Sequence, residues 1–385
     1  MTSVESVKSL VLELPPSCVE FSPLAPQYAV VGTYNLEKQH ADETTAQSDE
    51  AKSQTRNGSL ILIQVDKDDV NIIQTVPTPS AILDIHFAPP NDQAGMFGVA
   101  TSTGSIDIYQ LDVKHGQKPE ITHLRTLQFC PETVLVTAFS WHPRGDVVGM
   151  TLSDGQVRLG KVVLQDAEHI TTSGDVVTHD LEAWTLAFLP DGLGILSGGD
   201  DSTLRFMELG SDLECHLDDS APGESSAAQK LPWVDRKTHT AGVTAILPLQ
   251  VNEDGLLVLT GSYDDHIRLL YAPSIGRRSV LAELNLGGGV WRLKQLGCRP
   301  GCSTLPGQAL LQEILLLASC MHAGSRILRL RREGDEDWQF EVLASFEEHK
   351  SMNYGSDFQP LLGSANQTTF ITTSFYDRLL CLWRF

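Results

Sequence analysis

Several side chains in this chain stand at spacings that could support chemistry. A repeated string runs from an apolar strand through small residues into a tight polar turn: Gly32-Thr-Tyr34-Asn35, Ser197-Gly-Gly-Asp200-Asp201, Thr260-Gly-Ser-Tyr263-Asp264-Asp265 and Ser374-Phe-Tyr376-Asp377. At the same step a further string reads Cys320-Met-His322-Ala-Gly324, putting an imidazole where Asp154, Asp201, Asp264 and Asp377 stand in other turns. Neutral imidazole is a natural proton acceptor near pH 7, which makes His322 the candidate general base. The alternative is a histidine that caps its own turn. Tyr34, Tyr263 and Tyr376 share one turn position, and Trp291 and Tyr354 lie in loops entering later strands. Aromatic faces that converge attract a quaternary ammonium; otherwise each tyrosine lids its own repeat. Asp264 and Asp377 either add negative charge to such a pocket or bond their own turn. Gly287-Gly-Gly289 leads into Val290-Trp291-Arg292, where backbone N–H groups or the Arg292 guanidinium could meet an oxyanion. No Gly-x-Ser-x-Gly elbow occurs in the chain, which argues against the nucleophile of an α/β-hydrolase.

The elements that must position these residues repeat along the chain. The first strands of seven units read Cys18-Val-Glu-Phe-Ser-Pro, Ile82-Leu-Asp-Ile-His-Phe-Ala-Pro, Thr137-Ala-Phe-Ser-Trp-His-Pro, Trp184-Thr-Leu-Ala-Phe-Leu-Pro, Val243-Thr-Ala-Ile-Leu-Pro, Val290-Trp-Arg-Leu-Lys and Gly355-Ser-Asp-Phe-Gln-Pro. Second and third strands follow, clearest at 195–207, 258–270 and 371–383. Such units resemble WD repeats. The resemblance implies an all-β fold, a seven-bladed propeller forming a single domain over 1–385, because one blade cannot bury both of its faces alone. The last unit ends on a third strand, so Leu10-Val-Leu-Glu-Leu-Pro15, with residues from about 8, is expected to supply its outer strand. Surface insertions are expected near 36–57, 165–178, 210–230 and 297–308. In WD repeats the turn aspartate bonds backbone and a histidine of the loop entering its blade, which predicts a His239–Asp264 pair.

Composition narrows the function. Twenty-eight Lys and Arg against 49 Asp and Glu leave a net charge of −21, which repels nucleic acid and anionic membranes. Hydrophobic residues at 41% suffice for a large core. Glu5 and the lack of an apolar run after it do not fit a secretory signal, and the stretch from Ile314 to Met321 is too short to span a bilayer. Seven scattered cysteines suit reduced thiols, so a cytoplasmic or also nuclear location is expected. Cys298 and Cys302 could form half of a zinc site, but no second Cys/His pair stands at ligand spacing; no metal or cofactor is expected.

Some strings are more specific than the repeat. Gly288-Gly-Val-Trp-Arg, Cys320-Met-His-Ala-Gly, Tyr354-Gly-Ser-Asp and Ser374-Phe-Tyr-Asp, with His239-Thr-Ala-Gly-Val and Thr260-Gly-Ser-Tyr-Asp-Asp-His-Ile, resemble the diphthine methyl ester hydrolase family of diphthamide biosynthesis. The resemblance runs through all seven units and is strongest from the fourth to the C-terminus. It implies removal of a methyl ester from the modified histidine of translation elongation factor 2, giving diphthine and methanol, by a protein expected to be a monomer. The trimethylammonium beside the ester would call on Tyr34, Tyr263, Asp264, Trp291, Tyr354, Tyr376 and Asp377 for binding, and on His322 and Arg292 for catalysis. The competing reading is a non-catalytic WD scaffold or adaptor using the same face.

Overall fold

The computed structural model describes residues 2–37, 55–89, 95–114, 116–164, 172–217, 232–252, 254–274, 276–300, 311–333, 337–360 and 367–385. The described strands form seven sheets of antiparallel strands consecutive in the chain, except that an N-terminal strand joins each of the last two, in parallel in the sixth. Blade one is Pro16–Phe21, Tyr28–Thr33, Arg56–Asp66 and Asp69–Thr78; blade two begins with Ile82–Phe87, blade three with Val136–Trp141, blade four with Ala183–Phe188, blade five with Val243–Asn252, blade six with Arg292–Pro300 and blade seven with Asn353–Phe358. Each first strand touches the first strands of its neighbours, and the seventh touches the first, so these strands ring the central axis. The fold is the all-β seven-bladed propeller that the repeats predict.

Alternation of side chains drives the stacking, because every inner strand presents one apolar row to each side. Seven buried clusters result, one at each blade-to-blade junction. Phe97 and Tyr109 of blade two stack at 5.6 Å within the cluster shared with blade one. Between blades six and seven Trp383 stacks on Phe370 at 4.2 Å and on Phe346 at 5.2 Å, and is fully buried.

The seventh blade supplies three strands of its own, Asn353–Phe358, Thr369–Ser374 and Leu379–Arg384, and receives the fourth from the N-terminus. Lys8–Val11 pairs antiparallel with Leu379–Arg384, Ser9 opposite Cys381, and Leu12 just beyond is buried in the cluster joining blades seven and one. This is the closure the sequence predicts. A second N-terminal strand went unanticipated: Thr2–Val4 adds in parallel to the outer strand of blade six, Asp337–Phe346. Ser6, between the two, donates its amide to Glu348 at 2.7 Å.

All four expected insertions are partly structured; in the first, Leu36 pairs with Arg56 at the start of blade one's third strand. Ser173–Thr178, placed within a surface loop, is the outer strand of blade three and pairs with Gln156–Lys161. Gly297 through Pro300 continue the first strand of blade six, paired as far as Pro300 opposite Leu311. After blade four's third strand, a 3-10 turn at Glu214–His216 is flanked by Leu213 and Leu217, both buried against blades three and four. In each case the apolar residues were read as part of a polar loop because the surrounding composition is polar. Cys302 and residues 38–54, 165–171, 218–231 and 301–310 lie outside the described residues.

Candidate functional site

The turns between second and third strands, where the sequence places most candidates, divide by what their side chains already bond. In blade four His179 Nδ1 meets Asp201 at 3.0 Å and its Nε2 meets Ser197 Oγ at 2.9 Å, while Asp201 also accepts the Asp180 amide and Arg205. Burial alone would raise the Asp201 carboxyl, but the His179 and amide bonds outweigh it and hold it low. Blade five is similar but not identical. Asp264 accepts the amides of Thr240 at 3.0 Å and His266 at 3.2 Å and pairs with buried Arg268 at 2.9 Å. Against its burial, these partners bring its carboxyl down to about 2. Asp377 accepts the Lys350 amide at 3.0 Å, Ser351 Oγ at 2.9 Å and Ser374 Oγ.

Asp264 and Asp377 therefore clamp their own turns, the structural one of the two roles the sequence offers them. The expected His239–Asp264 bond is replaced. His239 Nε2 meets Thr260 Oγ1 at 2.9 Å, and its buried Nδ1 has no partner among the described residues. The clamp reaches the backbone one residue later, at Thr240.

The aromatic candidates do come together. Trp291 lies 6.0 Å from Tyr263, 5.0 Å from Tyr354 and 5.7 Å from Trp184, centroid to centroid. Tyr354 continues to Phe375 at 5.6 Å, and Phe375 meets Tyr34 at 6.1 Å and Tyr376 at 5.1 Å. The result is an arc of rings from blade four to blade one, with Trp184 and Tyr354 in first strands, at the mouth of the axis. Tyr34 and Tyr376 sit at its far end. The Tyr34 hydroxyl accepts Arg56 Nε at 2.8 Å, and Tyr376 is 72% exposed, touching the arc through Phe375.

Trp184 and Phe375 were not singled out from the sequence. Trp184 opens a first strand at the step Trp291 and Tyr354 hold in blades six and seven, and that shared step was the available signal. Asp200, read only as a turn residue, borders the arc. A Cβ added to Gly242 would strike both its carboxylate and the Tyr263 ring. Burial raises the Asp200 carboxyl, with Glu182 and Asp201 adding to the effect. Burial likewise raises the Tyr263 phenol, with Asp200 next in weight, so a tyrosinate is disfavoured there.

His322 is exposed, in a turn whose Met321 takes a left-handed φ of 43°, and its imidazole has no hydrogen-bond or ring partner among the described residues. The turn bonds itself through backbone: the Cys320 amide donates to Gly324 at 2.7 Å and the Ala323 amide to Cys320 at 2.8 Å. A histidine capping its own turn is thus not what the geometry contains. Gly288 and Gly289 pack against this turn, where a Cβ would collide with the Cys320 carbonyl and the Met321 sulfur. Cys320 itself is buried, and burial pushes its thiol up to about 12, which removes it as a nucleophile.

Arg292 departs most from expectation. Its side chain does not extend onto the rim; it crosses the axis from blade six to Asp84 of blade two, Nη2 to Oδ1 at 2.7 Å and Nη1 to Oδ2 at 3.4 Å. Asp84 also meets His86 Nε2 at 3.2 Å, and His86 Nδ1 meets Glu20 at 2.7 Å. Lys294 pairs with Asp357 at 2.9 Å and approaches Glu20 at 3.7 Å. Burial opposes the charge on His86, but Asp84 and Glu20 outweigh it and keep the imidazolium to about pH 9. The strand registers place Glu20, His86, Ser140, Ala187, Leu247, Lys294 and Asp357 at one level of the first strands, charged in blades six, seven, one and two and uncharged in three to five. This cluster is legible in the sequence as charged residues alternating in otherwise apolar strands, Asp84-Ile-His86 and Arg292-Leu-Lys294, outside the turns that carry the other candidates.

Fold, mouth and repeat pattern define a WD-repeat propeller. The family described as WD domain, G-beta repeat, matches at 170–206 and 234–269. Over nearly its whole length the chain is related to proteins named diphthine methyltransferase, as the specific strings suggest. That of Schizosaccharomyces pombe is 28% identical over 377 residues, covering 96% of this chain and 94% of the relative. The Dictyostelium discoideum homolog is 27% identical, covering 95% of each chain, and the Homo sapiens protein is 28% identical, covering 91% of this chain and 74% of the relative. Among solved structures, a chain of a mitotic checkpoint complex superposes with a TM-score of 0.61 at 16% identity, covering all of this chain and 92% of that one. Chaetomium thermophilum Sqt1, bound to the N-terminus of ribosomal protein L10, gives 0.59 at 14%, covering 96% and 86%. These two likenesses concern the fold alone.

Proposed function

We propose that the protein acts in diphthamide biosynthesis by removing the methyl ester of diphthine methyl ester on translation elongation factor 2. The relatives' names support the pathway but speak of methyl transfer; the mouth supports hydrolysis. The observation that carries the reading is the arc Trp184–Tyr263–Trp291–Tyr354 with the Asp200 carboxylate beside it. Rings and a carboxylate together suit a trimethylammonium, each ring worth roughly 0.5 to 2 kcal/mol once water is excluded. A cation bound there leaves the neighbouring ester at the mouth, between the His322 turn and the Arg292 end of the axis.

In the reaction, His322 takes a proton from water as its oxygen bonds the ester carbon. The carbonyl oxygen becomes an oxyanion facing Arg292 or the Gly288 and Gly289 amides. Collapse of this intermediate breaks the bond to the methoxy oxygen, and the imidazolium returns its proton to that oxygen, releasing methanol. Net, the ester and one water give a carboxylate, a proton and methanol. The protein is read as a cytoplasmic monomer that meets its substrate on a broad face, so a free amino-acid methyl ester should turn over poorly.

Methanol release from elongation factor 2 carrying the methyl ester is the test. Release well above the buffer rate supports the reading. Transfer of labelled methyl groups onto the factor would replace it with a methyltransferase, and tight binding without either reaction would replace it with an adaptor.

A further inference from the structure

The axial cluster beneath the arc is asymmetric in a way that ion pairing alone does not require. Its carboxylates lie behind: the side chains of Asp84, Asp357 and Glu20 are 3%, 7% and 17% exposed, whereas those of Arg292, Lys294 and His86 are 22%, 23% and 29% exposed. Backbone amides fix the carboxylates independently of the cations: Phe139 and Ile85 donate to Asp84, Phe87 to Glu20 and Phe21 to Asp357. His86 spends both ring nitrogens on carboxylates, but the Arg292 and Lys294 heads carry more donors than Asp84, Asp357 and Glu20 occupy.

We propose that the axis just below the mouth is an anion subsite, in which Arg292 and Lys294 receive a carboxylate while the carboxylates behind them hold the two cations in place. A carboxylate is the class that fits, because a guanidinium and an ammonium side by side can each donate to one of its planar oxygens. The site stands on the cluster's geometry; only the ligand's identity rests on the hydrolysis reading, in which the product gains a carboxylate beside Trp291. The product then binds more tightly than the ester, and its release is slowed.

Saturation-transfer NMR of the intact protein with acetate, at constant ionic strength, tests this directly. Expected are a saturable acetate signal, no competition by acetamide, and at least tenfold weaker binding in Arg292→Gln and in Lys294→Gln. Arg292→Lys, which keeps the charge, should fall between, and melting curves identify any variant that does not fold. No saturable signal, or full binding in both folded glutamine variants, overturns the subsite. Elongation factor bearing the demethylated product should displace acetate; displacement just as strong by the unmodified factor overturns the assignment to the product. Acetate binding without methanol release by the wild-type protein sinks the hydrolysis reading alone, and methanol release without acetate binding sinks this inference alone.

Discussion

The rim turns and the axial mouth put their side chains to opposite ends. At the rim, Asp201, Asp264 and Asp377 direct their oxygens to amides and side chains of their own blades. At the mouth, Trp184, Trp291 and Tyr354 come from three different blades and meet over the axis. A residue that a repeat needs for itself recurs in that repeat, so recurrence marks structure. A residue needed by the whole ring appears once or twice at the innermost step, where seven strands converge. Function in this fold is thus better sought where the repeat pattern breaks.

The largest effect belongs to the closure: deleting residues 1–12 removes both N-terminal strands and the packing of Leu10 and Leu12. The loss is roughly 2 to 5 kcal/mol, with ~1.5 to 3 kcal/mol for buried Leu12 and less for half-buried Leu10, and calorimetry should record a sharply lower melting temperature. An unchanged melting temperature would mean that the ring closes without these strands.

Next comes the rim. Asp264→Ala leaves Arg268, which is 5% exposed, with Glu283 as its one remaining carboxylate among the described residues, and should cost roughly 1 to 3 kcal/mol in denaturant unfolding while leaving affinity for the modified factor intact. The reverse pattern should hold for Trp291→Ala and Asp200→Asn, with binding weakened about 3- to 30-fold by titration and stability changed far less. If Asp264 governed binding and Trp291 only stability, rim and mouth would have exchanged roles.

A separate effect is a dependence on pH. Burial lowers His239 and His349 to about 4 in the folded protein, against an ordinary value of 6.5. Between these values the unfolded chain binds more protons, so the stability these residues contribute is complete above pH 6.5 and is lost as pH falls toward 4. Melting temperatures across this range should decline on acidification, and the decline should be shallower in His239→Gln. Equal slopes in wild type and variant would remove His239 from the account.

Much of the fold was legible because apolar alternation and turn residues repeat seven times, and because an unpaired third strand at Leu379–Arg384 demands a partner that only an alternating segment such as Lys8–Val11 supplies. The arc was legible in part. Tyr263, Trp291 and Tyr354 were found by residue type, but Trp184 and Phe375 join them through tertiary distance, which no local pattern encodes. Arg292 illustrates the converse. Its charge at a strand start suggests a ligand on the rim, yet its partner Asp84 lies 208 residues away in sequence and across the axis. Pairing of that kind becomes visible only when the ring is closed.

In the proposed reaction water opens an ester held at the mouth, with His322 as its base. Methanol release from methyl-esterified elongation factor 2 in heavy-oxygen water, run with wild type and His322→Gln, tests it most directly. Because His322 is exposed and unpartnered, the variant should fold and bind normally yet lose roughly 10² to 10⁴ in rate, and in the wild type the heavy oxygen should enter the new carboxylate, not the methanol. Wild-type turnover by the folded variant would remove His322 as base, while heavy oxygen in the methanol, or no methanol at all, would contradict hydrolysis at the acyl carbon.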